Sequence, residues 1–506
     1  MGRIARVVAN MGSKPMLMLL LILLFGLVFR VVILFPSWRG GIPSGYDTYI
    51  HAATAYFIAK GGLAASPASP IYTPLFSLLI SYIYLLTGVQ PIFLVVPTAV
   101  VIDTLCILPM FYIARRISGG NSTVGLLCAF FAAINPISIT LLVLGSFPSM
   151  FAMLGFLTIL SMSVSGIRDR PLGIILIGLL GAFVALTNIL VAATYVFFFV
   201  VLFFYEIVLR NGTHYTKPLL LSAFITVPLA AVFYVPRLSY FYVGILGGEE
   251  YILWVLPPLV ITIILLPPIF FLFKTGLQKK YVSAGAEHLK LLKVWYLTAP
   301  LMALAFVWQV SVISRLWHFL TFPAVVVLSM VFVRKFALMG KAKRPRTAKL
   351  MATGLLVFCV CGAYVGGVYC FNEFYSLTPG RLQLINWIEA STPMSAAFCA
   401  EEEFLPTHLG WYIMGLTDRL SYESILNFSG PFEVGTDVRL HIALANNITV
   451  LEANTTYWIK AVKDLGVSFV ILLTPKNHTN YDTISGKKVF VNAEYTVYNV
   501  TQFAFG

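Results

Sequence analysis

Runs of roughly 17 to 25 apolar residues, broken by short basic loops, recur along the first 371 residues, each long enough to cross a ~30 Å hydrocarbon core as a helix. Lipid offers no partner to backbone N–H and C=O groups, so only helices and closed barrels satisfy them there. A barrel would show segments of about ten residues alternating in polarity. The run Leu17 to Phe29 does not alternate. Hydrophobic residues make up 59% of the chain and charged residues 11%, against roughly 45–50% apolar in soluble domains. The sequence therefore predicts a polytopic α-helical membrane domain over residues 1–371, followed by an α/β domain over 372–506.

The net charge of +14 resembles a nucleic-acid signal until it is divided. Residues 1–371 carry 26 Lys and Arg against 7 Asp and Glu, while residues 372–506 carry 8 against 13. The positive charge thus sits in membrane loops, where it reports orientation, and no nucleic-acid partner is implied. Candidate spans are 16–36, 91–114, 122–143, 150–167, 172–188, 189–209, 218–236, 251–273, 294–313, 316–333 and 350–371, eleven in all. The short apolar segment 72–87 is read as lying at the interface, because letting it cross would turn 18 of 21 clustered Lys and Arg to the outside. This model puts a multi-pass protein in the cell membrane, with the N-terminus cytoplasmic and the C-terminal domain extracytoplasmic. Met1 to Phe35 has no A-x-A-like cleavage site and reads as a retained first span.

Five N-x-S/T sequons, at Asn427, Asn447, Asn454, Asn477 and Asn499, cluster in the C-terminal domain and agree with an outward placement. That domain reads as a helix over Arg381 to Glu389 followed by β-rich segments such as Val467 to Leu473 and Lys488 to Val491. It carries no phosphate loop, no H-E-x-x-H and no G-x-S-x-G, so no independent catalytic centre is expected in it. The six cysteines include no C-x-x-C pair and hence no zinc motif. Cys370 and Cys399 fall on the outer side, where a disulfide and two separate thiols both remain open.

One outward loop is long, residues 37–71, and long loops in compact proteins usually serve function. Within it Asp47 is the only carboxylate of the first 100 residues. Asp47 and His51 are four apart on an expected amphipathic helix over Asp47 to Lys60 and so share one face. Asp47 would serve as a helix cap, as a functional carboxylate, or as both. Other outward polar residues are Arg237, the pair Glu249 and Glu250, and Arg315, which stands beside Trp317 and His318 where a planar guanidinium would grip a lipid phosphate. Arg315 is equally compatible with a snorkelling anchor. Asp103, mid-span, is either a buried functional charge or a polar contact between helices.

These stretches resemble the GT-C superfamily of integral-membrane glycosyltransferases, which use polyprenyl-phosphate or polyprenyl-diphosphate sugar donors. GYDTYIHAATAYFIAKGG, residues 45–62, is similar to their first outward loop with its essential Asp, and puts Asp47 in that place. ARRISGGNSTVGLLCAFFAAINP resembles the stretch joining their second and third spans, and LQLINWIEASTP resembles the start of the outer domain in archaeal oligosaccharyltransferase catalytic subunits. GWYIMGLTDRLSY sits where those enzymes carry a Trp-Trp-Asp motif, although no Asp follows Trp411 and Tyr412 here.

The resemblance implies transfer of a sugar or glycan from a polyprenyl-phosphate-linked donor to a protein, glycan or lipid acceptor at the outer face, among membrane lipids. Asp47 would be the general base. Arg315, with Arg237 behind it, would hold the donor phosphate, and Tyr46, His51, Glu249, Glu250, His318, Trp411 and Tyr412 would line the substrate site. The second outward turn, Gly145 to Met150, lacks the acidic residues with which oligosaccharyltransferases help hold a metal, so dependence on a divalent cation stays open. Two other classes compete with the enzyme: a non-catalytic glycan-binding or scaffold relative, and a lipid-linked saccharide transporter, which would usually show internal repeats.

Overall fold

Prolines and glycines punctuate the apolar runs and set where each helix starts and stops. In the structure, a computed structural model, residues 14–34, 47–62, 73–210, 214–235, 282–305, 310–341, 378–401, 409–417, 419–424, 444–445, 447–474 and 478–505 are described. Helix α1 is Pro15–Leu34, α2 is Thr48–Gly61, α3 is Leu75–Thr87, α4 is Pro91–Leu105 and α5 is Ile107–Ile117. Then come α6, Ser122–Ala133, α7, Pro136–Leu144, α8, Phe147–Ser163, α9, Pro171–Thr187, and α10, Ile189–Arg210. The membrane part continues with α11, Thr216–Tyr234, α12, Val282–Ala305, and α13, Val310–Lys341. Among the described residues, five helical segments are long and apolar enough to cross a membrane, and α3, α8, α9 and part of α13 add shorter apolar helices. The protein is a multi-pass membrane protein.

Several expected spans differ in detail. The span expected over 91–114 is helix in two pieces meeting at Cys106, and that over 122–143 is broken at residues 134–135, ahead of Pro136. A boundary is expected at 314–315, but α13 is continuous from Val310, so Arg315 lies inside that helix and not between two. The segment expected over 72–87 forms α3, about 20 Å long at 13 residues and too short to cross. The expected spans 251–273 and 350–371 lie outside the described residues.

The break before Pro136 explains a charge that the apolar pattern does not. Proline has no N–H to give the carbonyl of Ala132, and the amide of Ile137 bonds the Asn135 side chain instead of the carbonyl of Ala133. The carbonyl of Ala132 keeps the amide of Asn135, at 3.4 Å, while that of Ala133 is met by Arg30 of α1, whose Nη1 reaches it at 2.8 Å and whose Nη2 also reaches the Ala132 carbonyl at 3.3 Å. The charge of Arg30 is met by Asp103 of α4, at 2.6 Å, with both side chains 1% exposed. Asp103 is thus one half of an interhelical ion pair. At the other end of the bundle Glu206 plays a similar part, accepting the amides of Tyr215 and Thr216 at the start of α11.

The C-terminal domain, called outer from the expectation above, opens with α14, Pro379–Ser391, N-capped by the Thr378 hydroxyl. It continues with β1, Ala397–Glu401, α15, Leu409–Thr417, β2, Leu420–Ser424, α16, Thr456–Leu465, β3, Phe469–Leu473, β4, Lys488–Val491, and β5, Tyr495–Asn499. The sheet order is β2-β1-β3-β5-β4, with β2, β1 and β3 parallel and the β5 and β4 pairings antiparallel. Side chains alternate between its faces. Phe398, Ala400 and Ile471 face α14 and α15, while Cys399, Val470 and Leu472 face α16 and the buried Trp458. Cys399 is a free thiol in that second core, donating to the carbonyl of Ala445, and burial pushes its pKa up. Cys370 lies outside the described residues.

One apolar core is continuous from the membrane helices into the first face of this sheet. It joins Ile80, Val95, Val96 and Phe147 to Tyr49 of α2 and on to Leu384, Tyr412 and Phe469. The outer domain is therefore seated on α2.

Removing one partner of a buried ion pair strands the other charge, at a cost of about 3–5 kcal/mol. Asp103→Ala should lower stability by that order in a detergent unfolding titration, and the double replacement Arg30→Met with Asp103→Leu should recover only the part due to the stranded charge, since the Ala133 carbonyl then loses its donor. A neutral Asp103→Ala would show that the pair does not hold α1 to α4.

Candidate functional site

The helix carrying Asp47 forms as the sequence predicts, over 48–61 against the expected 47–60, but it is not amphipathic in its surroundings. Every residue from Thr48 to Ala55 is buried. The reason is that α2 is enclosed from several sides, against α3 and α4 of the membrane part and against α15 of the outer domain. Only its C-terminal end, from Lys60, is exposed.

Asp47 stands at the N-cap of α2, half-buried, with φ −87° and ψ 1°. Its main-chain carbonyl accepts the amide of His51 at 3.1 Å. Its carboxylate makes no capping bond to the helix amides, so capping is not what the side chain does here. Across from it runs the second outward turn. Gly145 ends α7 in the left-handed conformation, φ +78°, which a residue with a Cβ adopts only with strain. A Cβ there would also lie 2.7 Å from the Asp47 amide nitrogen and 3.0 Å from the Asp47 Cβ. Glycine is required at this position on both counts.

His51 lies one helical turn below Asp47 and is 2% exposed. Its ring forms a cluster of three with Phe76 and Phe147, at centroid distances of 5.6 and 5.9 Å, and donates a hydrogen bond to the carbonyl of Gly145. Burial lowers its pKa to about 3, opposed by that hydrogen bond, so the ring is neutral near pH 7. A ring so enclosed shapes the site from behind.

The outer domain closes the other side of α2. Tyr412 of α15 is 3% exposed and packs its ring on that of Tyr49, centroids 4.1 Å apart. Gly415, one turn on, brings the backbones together, since a Cβ there would meet the Tyr49 carbonyl oxygen at 2.7 Å. Arg381 stacks over Tyr412 at 5.5 Å and donates to the Tyr495 hydroxyl at 2.9 Å. Burial and the nearby Tyr412 push the Tyr49 phenol well above its usual pKa, with Arg381 opposing, so Tyr49 stays a neutral hydroxyl. Tyr412 is thereby a docking residue between domains.

Of the other residues singled out by sequence, Trp411 lies on α15, and Arg315 and His318 lie in the second and third turns of α13. Tyr46, Arg237, Glu249 and Glu250 lie outside the described residues. Among the described residues no group of three His, Cys, Asp or Glu gathers closely enough to hold a metal ion. The turn facing Asp47 offers a glycine backbone and no carboxylate, which does not fit a cation held between the two loops. Sequence reasoning missed Gly145 and Gly415. Their signal, glycine in a short turn or on a helix face, has many ordinary causes.

No protein-family model matches the chain, and no curated protein sequence matches it. Solved structures do. The oligosaccharyltransferase of Archaeoglobus fulgidus, crystallised with zinc and sulfate, superposes with a TM-score of 0.55 at 12% identity over 90% of this chain and 68% of that one. The same organism's oligosaccharyltransferase AglB, in complex with an inhibitory peptide and a dolichol-phosphate, gives 0.57 at 12% identity over 91% and 69%. ArnT from Cupriavidus metallidurans, bound to undecaprenyl phosphate, gives 0.58 at 12% identity over 96% and 99%. The chain has the fold of the GT-C membrane glycosyltransferases, with helices first and a small C-terminal domain, as its sequence led us to expect.

The buried neutral His51 makes a pH prediction. Its folded pKa, about 3, lies below the unfolded value of about 6.5, so only the unfolded chain takes up a proton between them. The stability that this burial supports is complete above pH 6.5 and lost as pH falls toward 3, by about 1.4 kcal/mol per unit. Between pH 7.5 and 5 the wild type should lose about 2 kcal/mol more than His51→Gln in parallel unfolding titrations. Equal losses would contradict a buried neutral ring.

Proposed function

We propose that the protein transfers a sugar or glycan from a polyprenyl-phosphate-linked donor to an acceptor at the outer face of the membrane, with Asp47 as general base. The observation that carries this reading is the setting of Asp47. A half-buried carboxylate stands at the seam between the membrane helices and the outer domain, on a helix enclosed by both, and is not used to cap that helix. A carboxylate so held suits proton removal from an acceptor as bond formation begins at the anomeric carbon. Two solved neighbours support the donor class, one holding a dolichol-phosphate and the other undecaprenyl phosphate.

In this reading the departing phosphate needs a cation, and Arg315 is our candidate, with Arg237 second. A position in the second turn of α13 gives Arg315 a rigid base from which a guanidinium takes a phosphate bidentately. Tyr46, Glu249, Glu250, His318 and Trp411 remain candidates for contact with donor or acceptor. His51 and Tyr412 act through the positions of other groups, because both are inside the protein. We place the N-terminus in the cytoplasm and the outer domain outside the cell, following the distribution of basic residues.

Two substitutions separate chemistry from binding. Asp47→Asn keeps the size of the side chain and cannot act as a base. It should therefore bind dolichyl phosphate normally and lose roughly 10²–10⁴-fold in transfer rate, assayed with the polyprenyl-linked sugar pool extracted from cells that lack the protein. Near-normal transfer by Asp47→Asn would remove the general base from the account. Arg315→Gln should weaken dolichyl phosphate binding, and Arg315→Lys should weaken it less, since charge remains while the planar fork is lost. Unchanged binding in Arg315→Gln would leave it an interfacial anchor.

A further inference from the structure

We infer that His51 and Gly145 form a clamp that sets the direction of Asp47, making both of them positioning residues for the reaction proposed above, on which this inference rests. The contacts close a ring. The Asp47 carbonyl accepts the His51 amide at 3.1 Å, the His51 ring donates to the Gly145 carbonyl, and Gly145 returns to lie against the Asp47 amide and Cβ. The two halves come from outward segments nearly a hundred residues apart, so the clamp joins the first outward loop to the second.

Each member is itself held. The Gly145 amide bonds the Leu142 carbonyl at 3.3 Å and the Ser146 amide bonds the Leu141 carbonyl at 3.0 Å, which fixes the turn to the end of α7. The Gly145 carbonyl takes the Phe147 amide at 2.7 Å as well as the His51 ring, so both of its lone pairs are used. Phe147 in turn packs on the His51 ring and on Phe76, which packs on that ring as well. A neutral imidazole has one N–H, and here it goes to that carbonyl. In related folds an acidic second loop is expected to act through its charge. In this chain the same loop offers Asp47 a backbone surface, against which no side chain larger than hydrogen fits.

Such an arrangement matters because a reacting group displaced by about 1 Å can cost on the order of 10²-fold in rate. The test uses a pair of His51 variants matched in size. Gln retains a side-chain N–H donor, whereas Met has none and packs well between aromatic rings. Purified full-length His51→Gln and His51→Met are compared with wild type at pH 7.5, per folded molecule, using the extracted polyprenyl-linked sugar pool as donor. We expect kcat to fall roughly 10–100-fold in His51→Met with KM for the donor unchanged, and to stay within about threefold of wild type in His51→Gln. Gly145→Ala should fall as His51→Met does.

A role confined to folding would reduce the yield of both His51 variants and leave kcat of the folded fraction alike. Equal kcat in the two, alongside an inactive Asp47→Asn, overturns the clamp and leaves the proposed function standing. Normal transfer by Asp47→Asn overturns the proposed function, and the clamp with it.

Discussion

A carbonyl in hydrocarbon must find a donor inside the protein, and the break ahead of Pro136 takes from the carbonyl of Ala133 its partner in the helix. Arg30 answers it, and Asp103 answers Arg30. This pair ties α1 and α4 to the break at which α7 begins, and Gly145 stands at the other end of α7. The turn at Gly145 then meets Asp47. A polar contact buried among the membrane helices is in this way joined, through one short helix, to the turn that meets Asp47. An ion pair of this kind is weak as a source of stability, since its desolvation offsets much of its attraction. Its contribution here is geometric.

The second organising element is α2, a helix of an outward loop that ends up interior. Its first two turns have neighbours on every side because the outer domain sits on it through Tyr412 and Gly415 while α3 and α4 support it from the membrane side. The enclosure buries a run of small residues, Ala52, Ala53, Thr54 and Ala55, in the second turn of α2. It also places a carboxylate at a seam between domains, where ligand sites commonly form.

Much of this was legible in the sequence, for physical reasons. Apolar run length marked most of the membrane helices that the structure describes, because bilayer thickness acts on residues near in sequence. The helix of Asp47 and the α14 helix were expected within two residues of their ends, since caps and turns are local signals. The residues missed all act over long separations. Nothing near Asp103 in sequence points to Arg30, 73 residues away, and nothing near Asp47 points to Gly145. His51 and Tyr412 were readable as polar and aromatic candidates near a site, yet their burial depends on which elements close over them. The amphipathic appearance of α2 was misleading for the same reason, because its polar face meets protein and not water.

The central claim is that this fold handles a sugar carried on a polyprenyl phosphate. It is tested most directly by mass spectrometry of lipid extracts from cells with and without the protein. The account predicts that cells lacking it accumulate a glycosylated polyprenyl phosphate or diphosphate, and that the pool returns to normal when the intact protein is restored. A lipid-linked sugar pool identical in composition and amount in both would contradict it.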